Sequence, residues 1–174
     1  VNGEAVGELA SHCKAIGACL VHYSSDYVFS GRASEPYKVD HPRAPLNAYG
    51  RSKALGETLL EQAGAEFLLL RTSWVYAPWG KNFVRTILKL AAQRPELKVV
   101  DDQLGRPSSA EQIARVTLEL LEHEARGIYH VSQQTTLTGL QSLPARVEAL
   151  TLRADEKLWL LVAGHITLLN EVIP

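Results

Sequence analysis

FLLLRTS, residues 67–73, sets four apolar side chains in a row and closes on a cation and two hydroxyls. A strand with one wet face alternates apolar and polar residues, whereas an unbroken run belongs to a strand covered on both faces. Its neighbours agree with that reading. Upstream, residues 48–62 carry Leu55, Leu59 and Leu60 at helical spacing, read as the inward face of a helix. Further upstream, ACLVHYS (18–24) is a second short, mostly apolar strand. It is preceded by a helix over residues 4–16, with Val6, Leu9, Ala10, Cys13 and Ile16 as its apolar side and Gly17 as its stop.

Downstream, residues 82–93 read as a helix with Phe83, Ile87, Leu88 and Ala91 on one side. LKVV (97–100) is strand-like, and Ser108-Ser109-Ala110-Glu111 has the form of a capping box opening a helix that runs to about residue 122. GIYHV (127–131) is the last clear strand. Helices alternating with strands over short connections predict an α/β protein, a parallel sheet flanked by helices. Residues 30–47 hold Pro36, Pro42 and Pro45 among polar residues and read as a long ordered loop. Beyond residue 134 the periodicity fades, with a helix expected near 145–153 and an apolar element near 157–169.

Composition narrows the partners. The 174 residues fit one domain, of a size that buries roughly 70% of its unfolded surface. Hydrophobic residues at 46% and charged residues at 21% are ordinary for a soluble globular protein. A formal charge of −1, with both signs mixed along the chain, provides no basic patch and argues against nucleic acid. No apolar run approaches the ~20 residues that cross a bilayer, and LWLLVAG (158–164) reads as core, so no membrane partner is expected. Cys13 and Cys19 read as two buried thiols, and neither they nor the six scattered histidines have metal-ligand spacing, so no metal is expected. The sequence opens on Val1, contains no methionine and shows no secretory leader, and is read as a trimmed product or an excerpt.

In parallel sheets, ligands sit beyond the carboxyl ends of strands. Three polar clusters fall there: Ser24-Ser25-Asp26, Thr72-Ser73-Trp74 and Asp101-Asp102-Gln103. NAYGRSK (47–53) adds Tyr49 and Lys53, four apart on one helix face with Cβ atoms ~5–6 Å from each other. A phenol titrates near 10, and a neighbouring ammonium lowers that value toward the useful range. A hydroxyl such as Ser25 could hold a carbonyl oxygen against the tyrosine. Serine, tyrosine and lysine together suit reduction of a ketone, with hydride arriving from a nicotinamide. Taken singly, Tyr49 reads as a packing residue at a helix start, Ser25 as a turn residue and Trp74 as core or a groove wall; only their occurrence together at strand ends reverses that reading.

Five blocks carry a resemblance: VHYSSDYVFSG (21–31), APLNAYGRSKALGE (44–57), RTSWVYAPWGKNF (71–83), VVDDQLGRPSSAEQIA (99–114) and GIYHVS (127–132). In this order and spacing the chain resembles the dTDP-4-dehydrorhamnose reductases, members of the extended short-chain dehydrogenase/reductase group. The resemblance covers about residues 1–133. It implies a Rossmann-like dinucleotide-binding and catalytic domain over 1–134, incomplete at the N-terminus, with a smaller substrate-side C-terminal portion over 135–174. It also implies a cytoplasmic enzyme that uses NADPH or NADH to reduce the 4-keto group of dTDP-4-dehydro-L-rhamnose, a nucleotide sugar, and it allows a homodimer.

By the same resemblance Ser25 bonds the C4 carbonyl, Tyr49 gives the proton, and Lys53 lowers the Tyr49 pKa and bonds the nicotinamide ribose. Asp26 and Tyr27 line the sugar site, Trp74 packs against the deoxysugar, and Ser73 lies by the nicotinamide. Departures accompany it. No G-x-x-G-x-x-G turn occurs in this sequence, so the 174 residues alone are expected to bind dinucleotide weakly. Val39 and His41 stand where the family usually has acidic residues, and its closing Pro/Arg-rich segment is not seen. Two other readings stay open: a non-catalytic relative resembling the regulatory subunit of methionine adenosyltransferase, with similar SSDYVF and YGKTK blocks, and a nucleotide-sugar epimerase or dehydratase.

Overall fold

A computed structural model describes residues 1–95, 104–132 and 137–138. The expected strand at 97–100, the Asp101-Asp102-Gln103 cluster and the elements expected near 145–153 and 157–169 lie outside the described residues. Two compact units are present. The first is made of Val1–Ser73 and Gln112–Ser132, and the second begins at Trp74 and includes the residues to Glu111.

In the first unit, α1 (Glu4–Ala15) leads into β1 (Leu20–Ser25), a 3-10 turn (Asp26–Val28), the loop 29–47, α2 (Ala48–Ala63) and β2 (Phe67–Thr72). The second unit adds β3 (Val75–Tyr76), α3 (Phe83–Ala91), β4 (Leu104–Gly105) and β5 (Ser108–Ser109). A helix α4 (Ala110–Glu122) follows, then β6 (Gly127–His130), with β7 (Leu137–Thr138) paired to β4.

The sheet of the first unit has the order β1-β2-β6 and is parallel throughout, with Leu20 opposite Phe67 and Leu68 opposite Gly127. As its run of leucines predicts, β2 is covered on both faces, and it lies between β1 and β6. Leu69 packs with Val6, Ala10 and Leu60 from α1 and α2 on one face. Leu68 and Leu70 pack with Ile113 of α4 and Val131 on the other. The layering is therefore helices, sheet, helix, the α/β arrangement expected from the sequence.

The helices differ from expectation in which side chains they bury. On α1, Val6 and Ala10 are buried, whereas Leu9 and Ile16 are exposed. On α2, the buried positions are Gly50, Lys53, Gly56, Glu57 and Leu60, and Leu55 is 45% exposed. The reason is glycine. A Cβ at Gly3 or Gly7 would meet the side chains of Leu55 and Leu59, and one at Gly56 would collide with the Asn2 carbonyl. The two helices thus approach closely, with the leucines lying along their seam rather than over the sheet. Neither cysteine is fully buried: both are free thiols of intermediate exposure.

The start of α2 is fixed twice. The Asn47 side chain caps it by accepting from the Gly50 amide at 2.7 Å. Gly50 itself lies against the 3-10 turn, where a Cβ would collide with the Tyr27 carbonyl oxygen. Because that neighbour is backbone, Gly50→Ala should destabilise the fold by about 1–3 kcal/mol, read as a lower urea midpoint with an unchanged slope. An unchanged midpoint would show that the turn and helix separate without cost.

The loop 29–47 is ordered, as the sequence suggests, by contacts to the turn and sheet. Phe29 stacks on Tyr37 at 4.4 Å, His41 sets its edge against Tyr37, and Arg71 lies over Phe29 at 4.9 Å. Arg71 also donates to the Val39 carbonyl at 2.8 Å. Ser108 sits in β5, its hydroxyl donating to the Arg106 carbonyl, and α4 starts at Ala110 rather than directly after Ser108 as the capping box predicts.

Candidate active site

Strand β1 runs out into Ser24-Ser25-Asp26, and β2 beside it into Thr72-Ser73, so parallel pairing alone puts the two polar ends together. Asp26 joins them. Its carboxylate accepts from the Ser25 hydroxyl at 3.0 Å and from the Ser73 hydroxyl at 2.7 Å. The Ser25 oxygen in turn accepts from the Tyr27 amide at 3.2 Å, a local cap that starts the 3-10 turn. Ser25 has one proton, and it is given to Asp26.

Tyr49 comes to this cluster through Tyr27. The close seat of Gly50 on the turn brings the two rings edge to face at 5.9 Å. The Tyr49 side is open: the residue is 49% exposed, and its hydroxyl makes no hydrogen bond among the described residues. Lys53, one helical turn on, is only 7% exposed. Its ammonium donates to the Tyr23 carbonyl at 2.5 Å and lies 3.4 Å from His22 Nε2.

Beneath the lysine is a network of charge. Glu57 is fully buried and accepts from Arg71 at 3.0 and 2.7 Å and from Arg43 at 3.1 Å. Burial pushes the Glu57 carboxyl up, but the hydrogen bonds and charge of Arg71, with Arg43, hold it below the usual range. Burial lowers the Lys53 pKa, with Glu57 opposing. His22 is pulled down to about 4, first by burial, then by the Lys53 charge, again with Glu57 opposing.

These shifts set a direction with pH. A folded-state value below the unfolded 6.5 means that the unfolded chain takes up the His22 proton first as pH falls. Stability is full above 6.5 and drains as pH falls toward about 4. His130, lowered mainly by burial, adds in the same sense. The urea midpoint should therefore be lower at about pH 5 than at about pH 7, and His22→Gln should flatten the difference. A midpoint that rises on acidification would contradict this.

Ser25, Asp26, Tyr27, Tyr49, Lys53 and Ser73 all fall in the first unit, linked as described. Trp74 opens the second unit. Its backbone is in the left-handed region (φ 44°), which is costly for a bulky residue, and its carbonyl accepts from the Ser108 amide at 3.2 Å. Its indole lies on Gly105, where a Cβ would collide with the ring. Sequence reasoning passed over His22, Glu57, Arg71 and Arg43. The signal was present, because Glu57 continues the Tyr49–Lys53 face at the next i+4 step and Arg71 closes an apolar strand.

A parallel sheet covered on both faces, with hydroxyls, a carboxylate and a Tyr-x-x-x-Lys helix gathered at one end of it, defines a Rossmann-like α/β chain. The chain belongs to the RmlD substrate binding domain family, whose model matches residues 1–151. A dTDP-4-dehydrorhamnose reductase from Burkholderia thailandensis is 48% identical over 76% of this chain and 47% of its own length. One from Escherichia coli is 41% identical over 79% of this chain and 48% of its own. Among solved structures, the dTDP-4-dehydrorhamnose reductase of Bacillus anthracis in complex with NADP superposes with a TM-score of 0.79 at 33% identity, covering 86% of this chain and 53% of that one. The chain thus spans about half the length of the curated relatives it matches.

Proposed function

We propose that this chain carries the catalytic residues of an NADPH- or NADH-dependent reductase of the 4-keto group of dTDP-4-dehydro-L-rhamnose, a step in dTDP-rhamnose synthesis in the cytoplasm. The observation that supports this most directly is the link from Tyr49 through Tyr27 to Ser25 at the end of β1, with Tyr49 open and Lys53, one helical turn on, anchored to the Tyr23 carbonyl of the same strand. The similarity to dTDP-4-dehydrorhamnose reductases, one of them in complex with NADP, supports this substrate class and cofactor.

The residues present suit the nicotinamide riboside end of the cofactor. Lys53 has three N–H bonds and two neighbours, which leaves one for a ribose hydroxyl, and Ser73 lies beside Ser25 through Asp26. They offer no glycine-rich turn to a pyrophosphate. When bound, the dihydronicotinamide supplies the hydride.

Ser25 holds the ketone by turning its single proton from Asp26 to the carbonyl oxygen. Tyr49 then gives its phenolic proton to the oxygen as charge builds there, which completes the alcohol. The positive charge of Lys53 favours the phenolate left behind. Asp26 and Tyr27, in the same unit, border the sugar.

The experiment is NADPH oxidation by the full-length protein with dTDP-4-dehydro-L-rhamnose, against ketosugars on other nucleotides and against no sugar. Oxidation that depends on the dTDP sugar and yields a 4-hydroxyl product is expected. A folded protein giving only background oxidation with every ketosugar would overturn the reductase reading.

A further inference from the structure

Lys53 is nearly buried, and a buried ammonium needs partners for its charge. The carboxylate whose charge acts on it is occupied: the Glu57 oxygens accept from Arg71 and Arg43. What meets the Lys53 nitrogen directly is the Tyr23 carbonyl and the ring of His22, both from β1. We propose that His22 is a positioning residue for Lys53: its uncharged ring accepts a hydrogen bond at Nε2 and, with the Tyr23 carbonyl, fixes the ammonium against β1.

The chemistry is consistent on each side. Only a neutral imidazole with its proton on Nδ1 leaves a lone pair at Nε2 for an ammonium. A protonated ring would put two cations 3.4 Å apart. The ionisable groups around Lys53 are His22 from β1 and, on α2, Tyr49 one helical turn before it and Glu57 one turn after, the latter tied to Arg71 of β2 and Arg43 of the loop. None of them replaces the imidazole as an acceptor for the lysine. Strand position explains why a histidine can do this. His22 shares a strand face with Leu20, which packs against the α1 and α2 core, while Tyr23, pointing the other way, bonds Thr117 of α4 at 2.9 Å.

The functional consequence rests on the reading of Lys53 as the residue that bonds the ribose and supports Tyr49. If His22 fixes the ammonium, losing it loosens Lys53 and weakens dinucleotide binding and proton transfer together, leaving the sugar nucleotide alone. The test uses the full-length protein with His22→Leu, which removes the acceptor, and His22→Gln, which returns one.

Trace acetylation by acetic anhydride across pH, read on the peptide holding Lys53, reports the proton affinity of that amine without any turnover. In His22→Leu the labelling profile should move to lower pH, because burial then acts on a less supported ammonium. Catalytic efficiency should fall about tenfold, the KM for NADPH should rise, and the KM for the sugar nucleotide should hold. His22→Gln should restore both readouts to within about threefold of the parent. An unshifted Lys53 profile in His22→Leu would overturn the positioning role, as would a shift that His22→Gln fails to reverse. A parent protein without ketone-dependent oxidation would instead sink the reductase reading, while a shifted profile would still assign the contact to His22.

Discussion

Glu57→Ala should lower the unfolding free energy by about 3–5 kcal/mol, a large part of the ~5–15 kcal/mol that holds an ordinary domain together. Glu57 is fully buried and Arg71 nearly so, with the guanidinium donating twice to the carboxylate. Truncating the acid leaves that cation desolvated, with the Val39 carbonyl and the Phe29 ring among the remaining contacts of its side chain. The attraction itself is not the source of the loss. Bringing both charges out of water offsets most of the pair's gain, so replacing both partners should cost less than removing one. A double variant, Glu57→Leu with Arg71→Leu, should recover part of the stability lost by Glu57→Ala, measured by urea denaturation. Arg43 is more exposed than Arg71 and can be solvated in the double variant. If Glu57→Ala unfolds at the parent midpoint, the buried carboxylate holds nothing.

The same pair shows where the sequence was informative. The apolar run of residues 67–70 marked a strand covered on both faces, because such burial leaves no room for alternation, and the alternation of helices with strands marked the sheet as parallel, but the order β1-β2-β6 was not legible there. Strand ends were legible for the same reason: parallel pairing aligns carboxyl ends, so Ser25-Asp26 and Ser73 meet whatever the loops do. Helix faces were less legible. Hydrophobicity assigned Leu55, Leu59 and Leu60 inward; Leu60 does pack on the sheet, but glycines at the start of and within α1 open a seam that takes Leu55 and Leu59, and Lys53 and Glu57 are buried beside Leu60. A buried charge is paired in space rather than in sequence. Arg43 and Arg71 lie 14 residues from Glu57 on either side, beyond the reach of any helical period. The left-handed backbone of Trp74 carried no sequence signal, since bulky residues rarely adopt it.

Tyr49→Phe should reduce turnover about 10²–10⁴-fold while leaving the fold unchanged. The substitution removes one oxygen and keeps the ring. The edge-to-face contact with Tyr27 survives, and so does the seat of Gly50 on the turn. The lost hydroxyl has no hydrogen bond among the described residues and belongs to a half-exposed side chain, so stability should stay within about 0.5 kcal/mol of the parent. A structural tyrosine and a proton donor therefore predict opposite patterns: for the first, little change in either quantity, and for the second, lost turnover at parent stability. Binding separates them further. On the proposed roles, phenylalanine keeps the ring surface offered to the dinucleotide, so the KM for NADPH should rise less than kcat falls. Lys53→Met removes the charge proposed to serve both the ribose and the phenolate, so on that proposal it should impair both. Steady-state kinetics on the full-length protein, with denaturation curves on the same preparations, decide the matter. Parent-like turnover in Tyr49→Phe would remove tyrosine from the proton's path and leave the lysine beneath it with a purely structural place in the fold.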